Sequence, residues 1–150
     1  MKIIILKSAV LTILLLWGSV SLQAENKQCE LEVDVTGIRN NKGSIKLGLY
    51  NEAHDDFPGE GREFKSVNLK IENKIASHTF STSCGSYAIA VFHDENENGK
   101  MDKNMIGLPE EGYAFSNNHP DSKFGPPAYP KVEFKLKKTL KIEIHMIYLL

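Results

Sequence analysis

The sequence has two cysteines, one tryptophan and almost no net charge, with 18 basic against 19 acidic side chains. Each scarcity excludes something. Without a basic excess there is no electrostatic footprint for a phosphate backbone, so no nucleic-acid partner is expected. Cys29 and Cys84 lie far apart and form no C-x-x-C pair, which removes dithiol redox catalysis. There is no P-loop, no G-x-S-x-G elbow and no dinucleotide glycine fingerprint. No stretch repeats its apolar residues with a helical period and no internal repeat is visible, so a helical bundle or coiled coil is excluded. What is present is 150 residues, 41% of them hydrophobic, enough for one well-buried core.

The long apolar run lies at the start. Lys2 and Lys7 precede and enter it, Ala9 to Trp17 continue it, and Gly18, Ser19 and Ser21 break it before Leu22-Gln23-Ala24. That order is a secretory signal peptide over residues 1–24, cleaved before Glu25. The alternative is a retained anchor, but the run is shorter than the roughly 20 apolar residues of a membrane span. Asn26-Lys27-Gln28 before Cys29 does not fit a lipoprotein site. Removal of the leader takes two lysines and no acids, leaving 16 basic and 19 acidic groups in residues 25–150. The expectation is one exported domain, periplasmic or secreted, with no membrane span in the mature chain. In that compartment a lone cysteine pair predicts a Cys29–Cys84 disulfide, the alternative being two separate buried thiols.

Alternation dominates the mature chain. Leu31, Val33 and Val35 are separated by acids; Ile45, Leu47 and Leu49 repeat the pattern, as do Val67, Leu69 and Ile71. Further strands are expected at Ile75 to Ser81, Tyr87 to Phe92, Val132 to Leu136 and Leu140 to Tyr148. The fifth is apolar on both faces and therefore central. Period-2 patterning between turn signals predicts an all-β fold, an antiparallel sandwich of about seven strands with Greek-key-like connections. His78 and His145 fall within strands and are expected to point outward.

Two segments escape the alternation. Asn51 to Phe64 reads as a long polar loop. His93 to Pro130 is longer and holds seven acids against three lysines. A disordered segment would lack apolar groups, and Met105, Ile106, Leu108, Tyr113, Phe115, Phe124 and Tyr129 predict that this one is ordered against the sandwich end. Long ordered loops are where binding residues concentrate.

Within it, Asp94, Asn96, Asn98 and Asp102 place oxygen side chains at positions 1, 3, 5 and 9 of a run with Gly99 at position 6. These are the first nine positions of an EF-hand calcium loop, with the Lys100 carbonyl at position 7. Alternate side chains converge on one centre, glycine permits the turn, and hard oxygen donors suit calcium. Position 12 is Met105, so the bidentate glutamate is missing, and a strand rather than a helix leads in. Glu110 or Glu111 is the candidate replacement. Two carboxylates at liganding positions set an expected dissociation constant on the order of 10⁻⁴ to 10⁻³ M. The competing reading is an Asn-Gly turn with solvated acids.

The run Gly85-Ser86-Tyr87-Ala88-Ile89-Ala90-Val91-Phe92-His93-Asp94-Glu95-Asn96, with Ile106-Gly107-Leu108-Pro109-Glu110-Glu111-Gly112-Tyr113-Ala114-Phe115-Ser116-Asn117-Asn118 and Gly125-Pro126-Pro127, resembles a bacterial family. It is the exported family known as domain of unknown function 2141, and the resemblance extends over nearly all of the mature chain. It implies an exported β-sandwich with a shared loop and carries no activity or substrate.

Two functional classes follow. The first is a non-enzymatic binding or structural envelope module, whose calcium loop presents His93, Glu110, Glu111, Tyr113, Ser116, Asn117 and Asn118 to a glycan or an envelope protein. The second is a hydrolase or lyase in which Asp94, Glu110 or Glu111 works with His93 as acid and base. No nucleophile with its base is identifiable, so the first is the expectation.

Overall fold

The computed structural model describes residues 27–119 and 125–150. The leader read at residues 1–24 and Phe124 lie outside the described residues. Eight strands follow in order: β1 (Gln28–Thr36), β2 (Ser44–Tyr50), β3 (Lys65–Lys70), β4 (Ala76–Ser83), β5 (Gly85–Asp94), β6 (Tyr113–Phe115), β7 (Phe134–Leu136) and β8 (Thr139–His145). One helical turn, α1 (Tyr129–Val132), precedes β7. A three-stranded sheet in the order β4-β1-β8 faces a five-stranded sheet in the order β3-β2-β5-β6, with β7 also paired to β5. Neighbours that are not consecutive mean that the chain crosses between sheets instead of meandering. The fold is an all-β sandwich, as the alternation predicts.

The alternating residues fill its interior. Leu31, Val33 and Val35 meet Ile45, Leu47, Leu49, Ile89 and Val91 between the sheets, all buried. β5 is central and buried on both faces, because its outer residues are covered too. A second cluster of Tyr50, Phe57, Ala88, Tyr113, Phe115, Tyr129 and Val132 lies apart from the inter-sheet core. Phe57, from the 51–64 loop, meets the Tyr50 ring edge-on at 4.9 Å and Tyr129 at 5.6 Å. Such edge contacts contribute about 0.5–1.5 kcal/mol each beyond simple burial. Phe57 from the first irregular segment and Tyr113, Phe115 and Tyr129 from the second therefore form a second packed layer.

The structure departs from the sequence expectation in several places. There are eight strands, because Tyr113–Phe115 pairs with Ala90–Phe92 inside the supposed loop. Val132 belongs to α1 and not to a strand; Pro130 in the first turn favours helical entry there. β1 and β8 pair in parallel, so the sandwich is mostly and not wholly antiparallel. His78 turns inward, opposite Val33, with its ring edge-on to Phe80 at 4.5 Å. His145 is exposed as expected. Cys29 and Cys84 form a disulfide with their Cα atoms 5.1 Å apart, tying the start of β1 to the β4–β5 corner. Among the described residues no helix is long and apolar enough to cross a membrane.

Candidate functional site

β5 delivers His93 and Asp94 to one end of the sandwich, and both are fully buried. His93 continues the inward series of Tyr87, Ile89 and Val91. Its Nε2 lies 2.7 Å from the Lys42 carbonyl, which can only accept, so Nε2 carries the proton. Nδ1 lies 2.9 Å from the Tyr148 hydroxyl, which also accepts the Arg39 N–H at 3.2 Å. Both ring nitrogens are committed to the fold, and neither is open to a substrate.

Asp94 points the other way, into the loop that follows. Its Oδ1 accepts the Asn98 N–H at 3.0 Å and its Oδ2 the Gly99 N–H at 2.9 Å. Glu97 and Gly99 adopt positive φ, of 60° and 79°, which turns those N–H groups back onto the carboxylate. Lys46 stands 3.7 Å from Oδ2. Across the loop, the Asn96 amide donates to Asp102 Oδ2 at 2.6 Å and the Asn98 amide to both Asp102 oxygens at 3.0 Å. The side chains of positions 3, 5 and 9 thus come together. The Lys100 N–H bonds Asn98 Oδ1 at 2.8 Å.

Of the paired glutamates, the structure brings in one. Glu111 is buried, and its carboxylate accepts the Glu95 N–H at 2.9 Å and the Asp102 N–H at 3.2 Å. Glu110 is exposed, and only its backbone is engaged: its N–H bonds the Asp102 carbonyl and its own carbonyl accepts from Arg39. The sequence named both as replacements for position 12, and only the tertiary fold chooses between them.

The root of the loop is clamped. Arg39 donates from Nε to Glu95 Oε1 at 2.7 Å and lies over the Tyr148 ring at 4.7 Å, while the Asn40 amide donates to Glu95 Oε2 at 2.9 Å. Burial pushes the Glu95 carboxyl up, but the Asn40 and Arg39 hydrogen bonds and the Arg39 charge outweigh it and hold its pKa below the usual range. Gly43, at positive φ, packs so close that a side chain there would strike the Asp94 carbonyl. In the sequence Asn40 and Gly43 read only as the ends of the turn Asn40-Asn41-Lys42-Gly43 and Arg39 does not stand out, since their role arises from the way that turn folds against β5.

The remaining candidates are engaged by the fold. Tyr113 and Phe115 are in the second core layer, and the Tyr113 hydroxyl is buried without a hydrogen-bond partner. Ser116 is fully buried, accepting the Ile89 N–H at 3.0 Å and donating to the Val132 carbonyl. Asn117 donates to the Glu133 carbonyl, and Asn118 spans the Glu143 carbonyl and the His145 N–H as a strand would. Their polar atoms tie the loop to β8 and the segment before β7, with Ser116 buried and Asn117 and Asn118 at the exposed surface.

Among the described residues no group of three or more His, Cys, Asp and Glu side chains is arranged to hold a metal ion by itself. Any ion here would need the amide and carbonyl oxygens that calcium accepts and softer metals use poorly. Residues 33–143 match the family described as an uncharacterized protein conserved in bacteria, DUF2141, a span that runs from β1 through most of β8 and includes the whole loop. No curated protein and no solved structure matches the chain. Covering about three-quarters of the sequence, that match places the chain in the DUF2141 family.

Proposed function

We propose that this protein is an exported envelope module that works by binding, with a calcium ion stabilising the loop of residues 94–102. The observation that carries the reading is Glu111. A buried carboxylate is brought from outside the nine-residue run to the backbone of positions 2 and 9, beside a loop whose position 12 holds methionine. Each carboxylate oxygen of Asp94 and Glu111 accepts one N–H and keeps a second lone pair for a cation. The Asn96 and Asn98 amide NH₂ groups already bridge to Asp102, the role a cation would take once the amides turned their oxygens inward.

Asp94, Asn96, Asn98, the Lys100 carbonyl, Asp102 and Glu111 would supply the six or more oxygens that calcium requires. The hydrolase or lyase reading draws on His93 and Asp94, and their burial and internal bonding favour the binding reading. Export rests on the leader, and sequencing the exported protein is expected to return Glu25 as the first residue.

Calorimetric titration with calcium tests the loop. At ten times its dissociation constant the ion would stabilise the fold by about 1.4 kcal/mol, seen as a rise in melting temperature that Asp94→Ala abolishes. A protein indifferent to 10 mM calcium, or an Asp94→Ala variant that responds like the natural one, overturns the reading.

A further inference from the structure

Directly after the loop the chain forms a small projecting hairpin. Lys103 pairs with Pro109 in an antiparallel bridge, and the Glu110 N–H bonds the Asp102 carbonyl at 2.9 Å. At its tip Met105 is fully exposed, Ile106 80% exposed and Leu108 41% exposed. The sequence reading had these three apolar residues packing the loop against the sandwich; the structure turns them to solvent.

The tip is nonetheless built. The Asn104 carboxamide oxygen accepts the Ile106 N–H at 3.1 Å and the Leu108 N–H at 3.0 Å. The Asn104 N–H bonds the Leu108 carbonyl and the Gly107 N–H the Asn104 carbonyl, each at 2.9 Å. Four of the five N–H groups of residues 104–108 are thus satisfied within the tip. These bonds hold the turn in one shape, so its three apolar side chains are presented together.

We propose that this tip inserts into the headgroup layer of an anionic phospholipid bilayer when calcium fills the adjoining loop. The switch rests on the calcium reading above; the insertion rests on the tip. Three side chains on a convex turn cannot supply the roughly 800 Å² per partner of a stable protein interface. A deformable lipid surface accepts them without a matching groove. Charge points to the same occupant. Six carboxylates lie within residues 94–111 against Lys100 and Lys103, with Arg39 paired to Glu95 and Lys46 beside Asp94. Six negative charges against four positive repel an anionic surface, and one calcium ion cancels that excess. Lys100 and Lys103, both exposed, then lie beside the tip to meet lipid phosphates.

Co-sedimentation of the exported protein with vesicles of phosphatidylethanolamine and phosphatidylglycerol, in millimolar calcium or in EDTA, tests this. Binding is expected in calcium and not in EDTA. Met105→Ser combined with Ile106→Ser is expected to weaken partitioning about a hundredfold. Both residues are exposed, so that variant should keep its fold and its calcium-dependent rise in melting temperature. A melting response to calcium without vesicle binding overturns the tip and leaves the calcium reading standing. Absence of both responses overturns the two together. Equal binding in EDTA, or by the double variant, also refutes the proposal, as does self-association of the protein that the double variant abolishes.

Discussion

Replacing Glu111 by alanine should destabilise this protein far more than replacing its neighbour Glu110. The Glu111 carboxylate accepts two backbone N–H groups, at 2.9 Å from Glu95 and 3.2 Å from Asp102, and the residue is 5% exposed. A hydrogen bond to a charged group contributes about 1.5–3 kcal/mol, and an N–H left without an acceptor in a buried place adds a desolvation cost. The Glu95 bond should fall within that range. The Asp102 bond is longer, at 3.2 Å, so it counts at the low end. Together they give about 3–4.5 kcal/mol for Glu111→Ala, or roughly 11–17 °C in melting temperature for a domain of this size.

Glu110 has its side chain in solvent, so Glu110→Ala should stay within about 0.5 kcal/mol of the natural protein. Glu111→Gln retains one carbonyl acceptor and should fall between the two. Thermal melts followed by circular dichroism, run in EDTA so that no ion contributes, give all three values. If Glu111→Ala melts within a degree or two of Glu110→Ala, the carboxylate does not hold the loop, and the argument built on it fails.

The remaining predictions concern the frame around the site. Removing the disulfide with Cys29→Ala and Cys84→Ala should lower stability by up to about 4 kcal/mol, the chain-entropy value for a loop of 55 residues, measured as a shift in the denaturant midpoint. An unchanged midpoint would show that the covalent tie constrains nothing the fold does not already fix. Glu95, with its pKa held below the usual range, should contribute stability that is fully present above the ordinary glutamate value near 4.3 and lost as pH falls through the folded value. Urea denaturation between pH 6 and pH 3 should therefore show a shallower acid loss in Glu95→Gln than in the natural protein, and parallel curves would remove Glu95 from the clamp.

The main strands were legible because two-residue periodicity is a local property. Leu31, Val33 and Val35 face the core whatever the rest of the chain does. β6 was not legible, since Tyr113-Ala114-Phe115 is too short to show a period and is buried on both sides. His93 falls at a strand end and reads as a surface or hydrogen-bonding histidine; it proves the latter, because it continues the inward series of β5. Ser116, Asn117 and Asn118 look like an exposed polar run, yet Ser116 is fully buried. Asn117 and Asn118 are exposed, adopt positive φ, of 64° and 45°, and use their amides to replace backbone partners, a habit of asparagine in turns. Met105, Ile106 and Leu108 misled in the opposite sense, because apolar character does not guarantee burial. Glu111 over Glu110 is a tertiary choice, and no local pattern could have made it.

The way the loop is held bears on how tightly and where an ion would act. Affinity in such sites follows the number of charged ligands and the rigidity of the loop. Glu111 raises the carboxylates beside the loop from two to three. Arg39, Asn40 and Gly43 fix its root, so little ordering entropy is left for the ion to offset. Both factors move the expected dissociation constant toward the 10⁻⁴ M end of the extracellular range. They also confine the structural consequence. With Asp94 and Glu95 already anchored, the groups that must reorient are the amides of Asn96 and Asn98 and the carboxylate of Asp102. Asp102 is also the residue whose carbonyl begins the hairpin stem, through the Glu110 N–H. An ion drawn onto Asp102 therefore acts at the hinge of the Met105–Leu108 tip, and lengthening that stem by one residue on each side should leave calcium affinity intact while weakening its effect on vesicle binding.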